Sequence, residues 1–325
     1  MKKLLVVLMV VLALPVFILG ATPAMAAAVF TSGDVFAGVA NGNIQWWRPS
    51  TSTLITTLNN GLGGYTTGMA FDVAGNLYGT NFSSLGVTRY DTSGAVIPPN
   101  PFVSGMTSPE SIAFSAGKTS FYVGDAGGNV IRQFNTATGA FMTSYTTATS
   151  SRGTDWIDLA ANNTTLYYTS EGNQIFRYDT VAGQLADFNL AALPGSNAFA
   201  LRILPGGGVL VADSSSVIKL DSLGNQIGTY GAAQSAGGFF SLNLDPDGTS
   251  FWTGDFANGN FFKFAIADGT LLQTLNTGTG SGTLFGLTVF GETTVVNPTV
   301  PIPPSMLLFG SGLLGLAGWR RLRKS

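Results

Sequence analysis

The chain has no cysteine and no histidine in 325 residues. Without cysteine there is no disulfide framework, no thiolate metal site and no cysteine nucleophile. Without histidine there is no Ser-His-Asp triad, no His-ligated zinc, and the commonest general base is missing. Charge is scarce too: Asp, Glu, Lys and Arg make up 10% of the residues. Six of the fifteen basic residues (Lys2, Lys3, Arg320, Arg321, Arg323 and Lys324) lie at the two ends, which leaves nine basic against seventeen acidic residues between them, a net of −8. A body of that sign repels phosphate backbones, so nucleic acid is not an expected partner. What is abundant is glycine, 43 residues, alongside 11% aromatics. That combination describes a turn-rich body with ample core material rather than a disordered chain.

The first 26 residues begin with Lys2 and Lys3, run through an apolar stretch from Leu4 to Leu19 and close on Ala24-Met25-Ala26. That order is the layout of a signal peptide with small residues at its cleavage site, and it predicts export with a mature start near Ala27. The far end reads Val300-Pro301-Ile302-Pro303-Pro304-Ser305, then an uncharged stretch over 306–319, then a basic cluster over 320–325. As a helix, the uncharged stretch reaches only about 21 Å, short of a hydrocarbon core of roughly 30 Å. Its glycines make it a weak helix, and the basic cluster would hold the C-terminus in the cytoplasm.

This tail resembles the PEP-CTERM sorting signal in three parts taken in order: Val300, Pro301, Pro303, Pro304 and Ser305; the Gly-rich Leu stretch from Leu308 to Gly318; and Arg320, Arg321 and Arg323. It departs from the pattern at Ile302, where Glu is usual. The resemblance implies an exosortase-type membrane protease as partner, a Gram-negative cell, and delivery to the cell surface or a biofilm matrix. A plain C-terminal membrane anchor is the alternative.

Between the ends the sequence repeats. A short apolar segment recurs as Met69-Ala70-Phe71, Ile112-Ala113-Phe114, Ile157-Asp158-Leu159, Leu201-Arg202-Ile203, Leu242-Asn243-Leu244 and Leu287-Thr288-Val289, at steps of 43, 45, 44, 41 and 45 residues. That period matches the roughly 40 to 50 residues of a four-stranded propeller blade. After each segment comes a turn rich in Gly, Pro or Asp, such as Asp72-Val73-Ala74-Gly75 or Asp245-Pro246-Asp247-Gly248, then a second strand rich in aromatic and β-branched residues. Further Gly turns lead to a third and a fourth strand. The sixth segment, Leu284 to Phe290, has no strands after it, while Asp34 to Val39, Asn43 to Arg48 and Leu54 to Leu58 supply three before the first. The fold class predicted is therefore all-β: a single six-bladed β-propeller over 27–292, its ring closed by N-terminal strands plus a C-terminal innermost strand, followed by a linker over 293–305. Closure removes exposed strand edges. A two-sheet sandwich is the alternative. The repeats resemble NHL-type and YVTN-like propellers, a likeness that bears on fold rather than activity.

Aligning second strands places Val39, Asn81, Asp125, Ser170, Asp213 and Asp255 at one equivalent position, at the face where blade-to-blade connections run. Three carboxylates there are candidates for a hard cation such as Ca²⁺, which takes oxygen ligands. Equally, each can cap a turn by accepting from backbone N–H groups. Glu171 stands beside this ring and, with Asp125 and Asp213, is a candidate acid/base group. Trp46, Trp47 and Trp156 are candidate sugar-stacking platforms, with core packing as the alternative. Trp252, inside a strand, favours the core. Asp245 to Gly248 lacks the remaining ligands of a calcium loop, and Gly278 to Gly282 lacks the Lys and helix of a phosphate loop. These residues point first to a non-catalytic surface or matrix protein whose propeller binds exopolysaccharide or another envelope protein. A Ca²⁺-dependent lactonase-like hydrolase and an assembly scaffold are the alternatives.

Overall fold

The computed structural model describes residues 28–293. The predicted signal peptide and the sorting-tail residues Val300, Pro301, Pro303, Pro304, Ser305, Arg320, Arg321 and Arg323 lie outside them. The described residues form a six-bladed β-propeller with one 3-10 turn and otherwise strands. Each blade after the first begins at the central axis. The innermost strands are β4 (Thr66–Phe71), β7 (Pro109–Phe114), β11 (Ile157–Leu159), β15 (Ala198–Ile203) and β19 (Phe239–Leu244). The sixth is β23 (Leu284–Val289), which pairs with β1 (Val35–Val39), ahead of β2 (Asn43–Arg48) and β3 (Thr53–Asn59). Around the axis the innermost strands contact one another in the order β23, β4, β7, β11, β15, β19 and back to β23, so the ring is closed.

Closure is antiparallel, with Val35 opposite Val289, Phe36 opposite Thr288 and Ala37 opposite Leu287. Val35, Ala37, Leu287 and Val289 are fully buried and pack against Trp252 and Phe261 of the preceding blade. Each large apolar side chain buried in such an inter-blade cluster contributes about 1.5–3 kcal/mol. The seam between the chain's two ends is thus sealed by an apolar inter-blade contact.

The second blade departs from the expected four strands. It has three, β4, β5 (Leu77–Asn81) and β6 (Gly86–Tyr90), and its outer place is taken by an irregular segment making only the isolated bridges Tyr90 to Val96 and Val87 to Val103. Pro98, Pro99 and Pro101 lie in that segment, and proline has no N–H to give to a ladder.

Just beyond β23, Glu292 ties three blades together. Its carboxylate accepts from Arg202 Nε at 2.8 Å, from the Leu244 N–H at 2.8 Å and from Asn243 Nδ2 at 2.7 Å. Arg202 is 7% exposed, so this ion pair sits where charges are costly unless partnered.

Candidate functional site

At the start of every innermost strand the pairing with the second strand takes in one extra residue. Glu110 is the extra residue between the pairs Pro109–Asp125 and Ser111–Gly124, and Phe240 between Phe239–Asp255 and Ser241–Gly254. The same slip occurs between Thr66 and Met69, between Ala198 and Leu201, and at Phe285 opposite Gly38 and Val39. In the fourth blade Thr169 bonds both the Asp155 N–H and the Trp156 carbonyl, two residues against one. Such bulges bend a strand and re-aim a side chain. Six equivalent positions, each two residues before the apolar segment, are set this way: Thr67, Glu110, Asp155, Phe199, Phe240 and Phe285.

These positions divide into two halves. Phe199, Phe240 and Phe285 occupy three consecutive blades and join Phe256 and Tyr65 in a continuous aromatic arc. Ring centroids lie 4.9 Å apart for Phe199–Phe240, 5.9 Å for Phe240–Phe256, 5.5 Å for Phe256–Phe285 and 4.4 Å for Phe285–Tyr65. All five are at least partly open to solvent, and Tyr65 is exposed. Partly exposed aromatic faces in contiguous array are unusual in a monomer core and suit an apolar or sugar ligand.

The other three blades are polar. Thr67 donates to the Pro109 carbonyl, while Glu110 and Asp155 are each 1% exposed. Asp155 is within hydrogen-bonding reach of Glu110; burial first, and Glu110 second, push its carboxyl well above the usual carboxylate range. Burial likewise raises Glu110, against the pull of Arg152. Two adjacent buried carboxyls cannot both ionise cheaply. Glu110 Oε2 and Asp155 Oδ1 are buried without a hydrogen-bond partner, which a proton shared between the two carboxyls would supply. Above the pair lies Arg152, 3.4 Å from Glu110, paired also with Glu171 and stacked 5.0 Å from the Phe82 ring.

The second-strand residues singled out by alignment lie immediately behind this ring. Asn81, Asp125, Ser170, Asp213 and Asp255 are all buried, and each holds the loop that brings the chain into its own blade. Asp125 accepts from the Thr107 and Ser108 N–H groups at 3.0 and 2.7 Å, and lies 3.6 Å from Arg132. Asp213 accepts from the Gly195 N–H at 2.9 Å and from the Ser214 N–H, and Asp255 from Ala236 at 2.5 Å and Ala257 at 2.8 Å. Asn81 donates to the Gly63 carbonyl and Ser170 to that of Arg152. Val39, also buried, has no polar group to offer. Among the described residues no three acidic side chains come together as a metal-ligating group. Glu171 faces Arg152, its backbone in the left-handed region at φ 48°.

The tryptophans are placed differently from a set of exposed platforms. Trp46 and Trp156 are each 1% exposed and Trp252 is fully buried; Trp46 donates to Asp34 at 2.8 Å and Trp252 to Asp245 at 3.0 Å. Trp156 packs with Ala200 and Leu242 in an inter-blade cluster. Only Trp47 of the three candidates is partly open, edge-on to Phe261. The phenylalanines of the bulge ring were not singled out from the sequence, although their constant offset from the apolar segments was available as a signal.

No protein-family model matches the chain, and no curated protein matches it. Among solved structures, 1604 chains match, too many for the likeness to fix an activity. One is a chain of the crystal structure of a nidogen/laminin complex: it is 14% identical with a TM-score of 0.61, and the match covers 79% of this chain and 98% of that one.

Proposed function

We propose that this chain is an exported, non-catalytic surface or matrix protein whose propeller binds exopolysaccharide across the split mouth. The observation that carries the proposal is the aromatic arc of Phe199, Phe240, Phe256, Phe285 and Tyr65 facing Arg152 and Glu171. A sugar ring stacks its C–H face on an aromatic side chain while its hydroxyls need polar partners at the edge, and the two halves of the mouth supply one each. Export, exosortase recognition and surface delivery are supported by the sequence of the two ends. A hydrolase draws no support from the ring of aspartates, whose oxygens are occupied by backbone N–H groups, nor from the Glu110–Asp155 pair, which is buried.

Retention of the protein on polysaccharide extracted from the producing cells tests this. Phe240→Ala should weaken retention about five- to tenfold, the scale of losing one stacking contact of about 1–1.5 kcal/mol, with little change in melting temperature. Undiminished retention in that variant, or none in the parent, would refute the proposal. A role as an envelope scaffold for proteins is the second possibility: the nidogen/laminin structure is of a protein complex, and Phe141, Met142, Leu271 and Leu272 are exposed on outer strands. Protein subunits, rather than polysaccharide, would then co-purify with the chain.

A further inference from the structure

We infer that the opposite end of the propeller carries a second binding site, a cavity of about 130 Å³ that takes a small monocarboxylate with an apolar body. It opens among the C-terminal ends of the innermost strands, away from the aromatic mouth. Phe71, Phe114, Leu159 and Val289 give it apolar walls. Lys118, Asn163, Asp158, Arg202 and Glu292 line the rest. Lys118 and Asn163 come from the turns after β7 and β11, both with left-handed backbone, φ 51° and 60°, which turns these two side chains out of the ladder.

The hydrogen bonds of these groups leave donors in excess. Glu292 accepts three bonds, from Arg202, Leu244 and Asn243. Asp158 accepts from the Ile203 N–H at 2.8 Å and the Leu159 N–H at 2.9 Å. Both acids are therefore engaged by the protein itself. Lys118 Nζ donates to the Phe71 and Asp72 carbonyls at 2.8 and 3.4 Å, which leaves one of its three N–H donors. Arg202 donates through Nε and Nη1, and among the described residues neither its Nη2 nor Asn163 Nδ2 has a partner. Unspent donors, two of them cationic, call for a ligand that brings acceptors, and charge-assisted bonds to a carboxylate are the strong form of that match. Asp158 and Glu292 offset the two cations, which favours a monoanion over a dianion. The volume, against about 30 Å³ for one liquid water, suits a single-ring acid rather than a polymer.

Benzoate is the probe, with benzamide as its neutral counterpart and inorganic phosphate as an anion without an apolar body. Calorimetric titration of the exported protein should show saturable benzoate binding, with benzamide and phosphate at least about tenfold weaker. Lys118→Met and, separately, Asn163→Gly, which keeps the left-handed backbone, should each weaken benzoate about tenfold, the scale of losing one bond to a charged group. Retention on polysaccharide should be unchanged in both, so the site stands or falls apart from the mouth. No saturable benzoate binding, equal binding of benzamide or phosphate, or full affinity in both variants would overturn the inference.

Discussion

Burial raises the carboxyl pKa of Glu110, Asp155 and Asp158, close to the propeller axis. Asp158 is half-buried yet enclosed by neighbouring strands, and burial pushes its carboxyl up to about 6 against the attraction of Arg202. An acid whose folded pKa lies above its unfolded value contributes stability that is present below about 4 and is lost as pH rises through about 6. For Asp158 the shift of about two units is worth on the order of 2 kcal/mol after allowance for its partial exposure. Asp158→Asn should therefore gain on the parent by roughly that amount between pH 4 and pH 8 in urea unfolding. Parallel profiles for the two proteins would show that Asp158 is not held in this way. Glu110 and Asp155, also raised by burial, add to the same decline in the parent and are unaffected by the substitution. The aspartates behind the mouth illustrate what residue type alone leaves open. Their equivalent positions could be read from the spacing, but whether Asp125, Asp213 and Asp255 face a ligand or their own incoming loops depends on loops packed 17 to 19 residues away in sequence.

At the level of strands, the ring depends on β23 and on the residue that follows it. Glu292 neutralises a buried Arg202 and bonds the β19 backbone, so its carboxylate spans the closing blade and the two blades before it. Removing one partner of such a pair leaves an uncompensated charge and costs about 3 kcal/mol or more. Glu292→Ala should lose that much in equilibrium unfolding, whereas Glu292→Gln, whose single amide oxygen can still accept from Arg202 and Leu244 but no longer offers a second acceptor to Asn243, should lose less. Equal, small losses would mean that β23 closes the ring without the latch. The innermost segments, their turns and the closing blade were legible because alternation of apolar residues and Gly or Asp turn chemistry are local signals. The second blade's missing fourth strand was not, since residues 95–103 give way to prolines where a repeat would place a strand. The bulges were not legible either: an extra residue is defined only against its partner strand, so Glu110 or Phe240 looks like one more residue before a strand until the register with Asp125 or Asp255 is known. Likewise Trp46 and Trp156 were open to both roles until the blades packed around them.

Across the whole molecule, the two ends of the axis differ in kind. One carries an aromatic arc beside a buried acid pair under Arg152; the other has a small cavity closed in by Lys118, Arg202 and Glu292. The six-bladed ring holds both. Because the mouth is built at the six bulges, a ligand that spans it must touch the same point in several blades at once. Amide hydrogen exchange of the protein with and without polysaccharide extracted from the producing cells measures this directly. The segments preceding the inner strands, around Thr67, Glu110, Asp155, Phe199, Phe240 and Phe285, together with the turn at Phe256, should gain protection as one set while the outer strands stay unchanged. Protection confined to outer strands such as Phe141–Thr146 and Leu271–Asn276, with none at the bulges, would contradict binding at the split mouth.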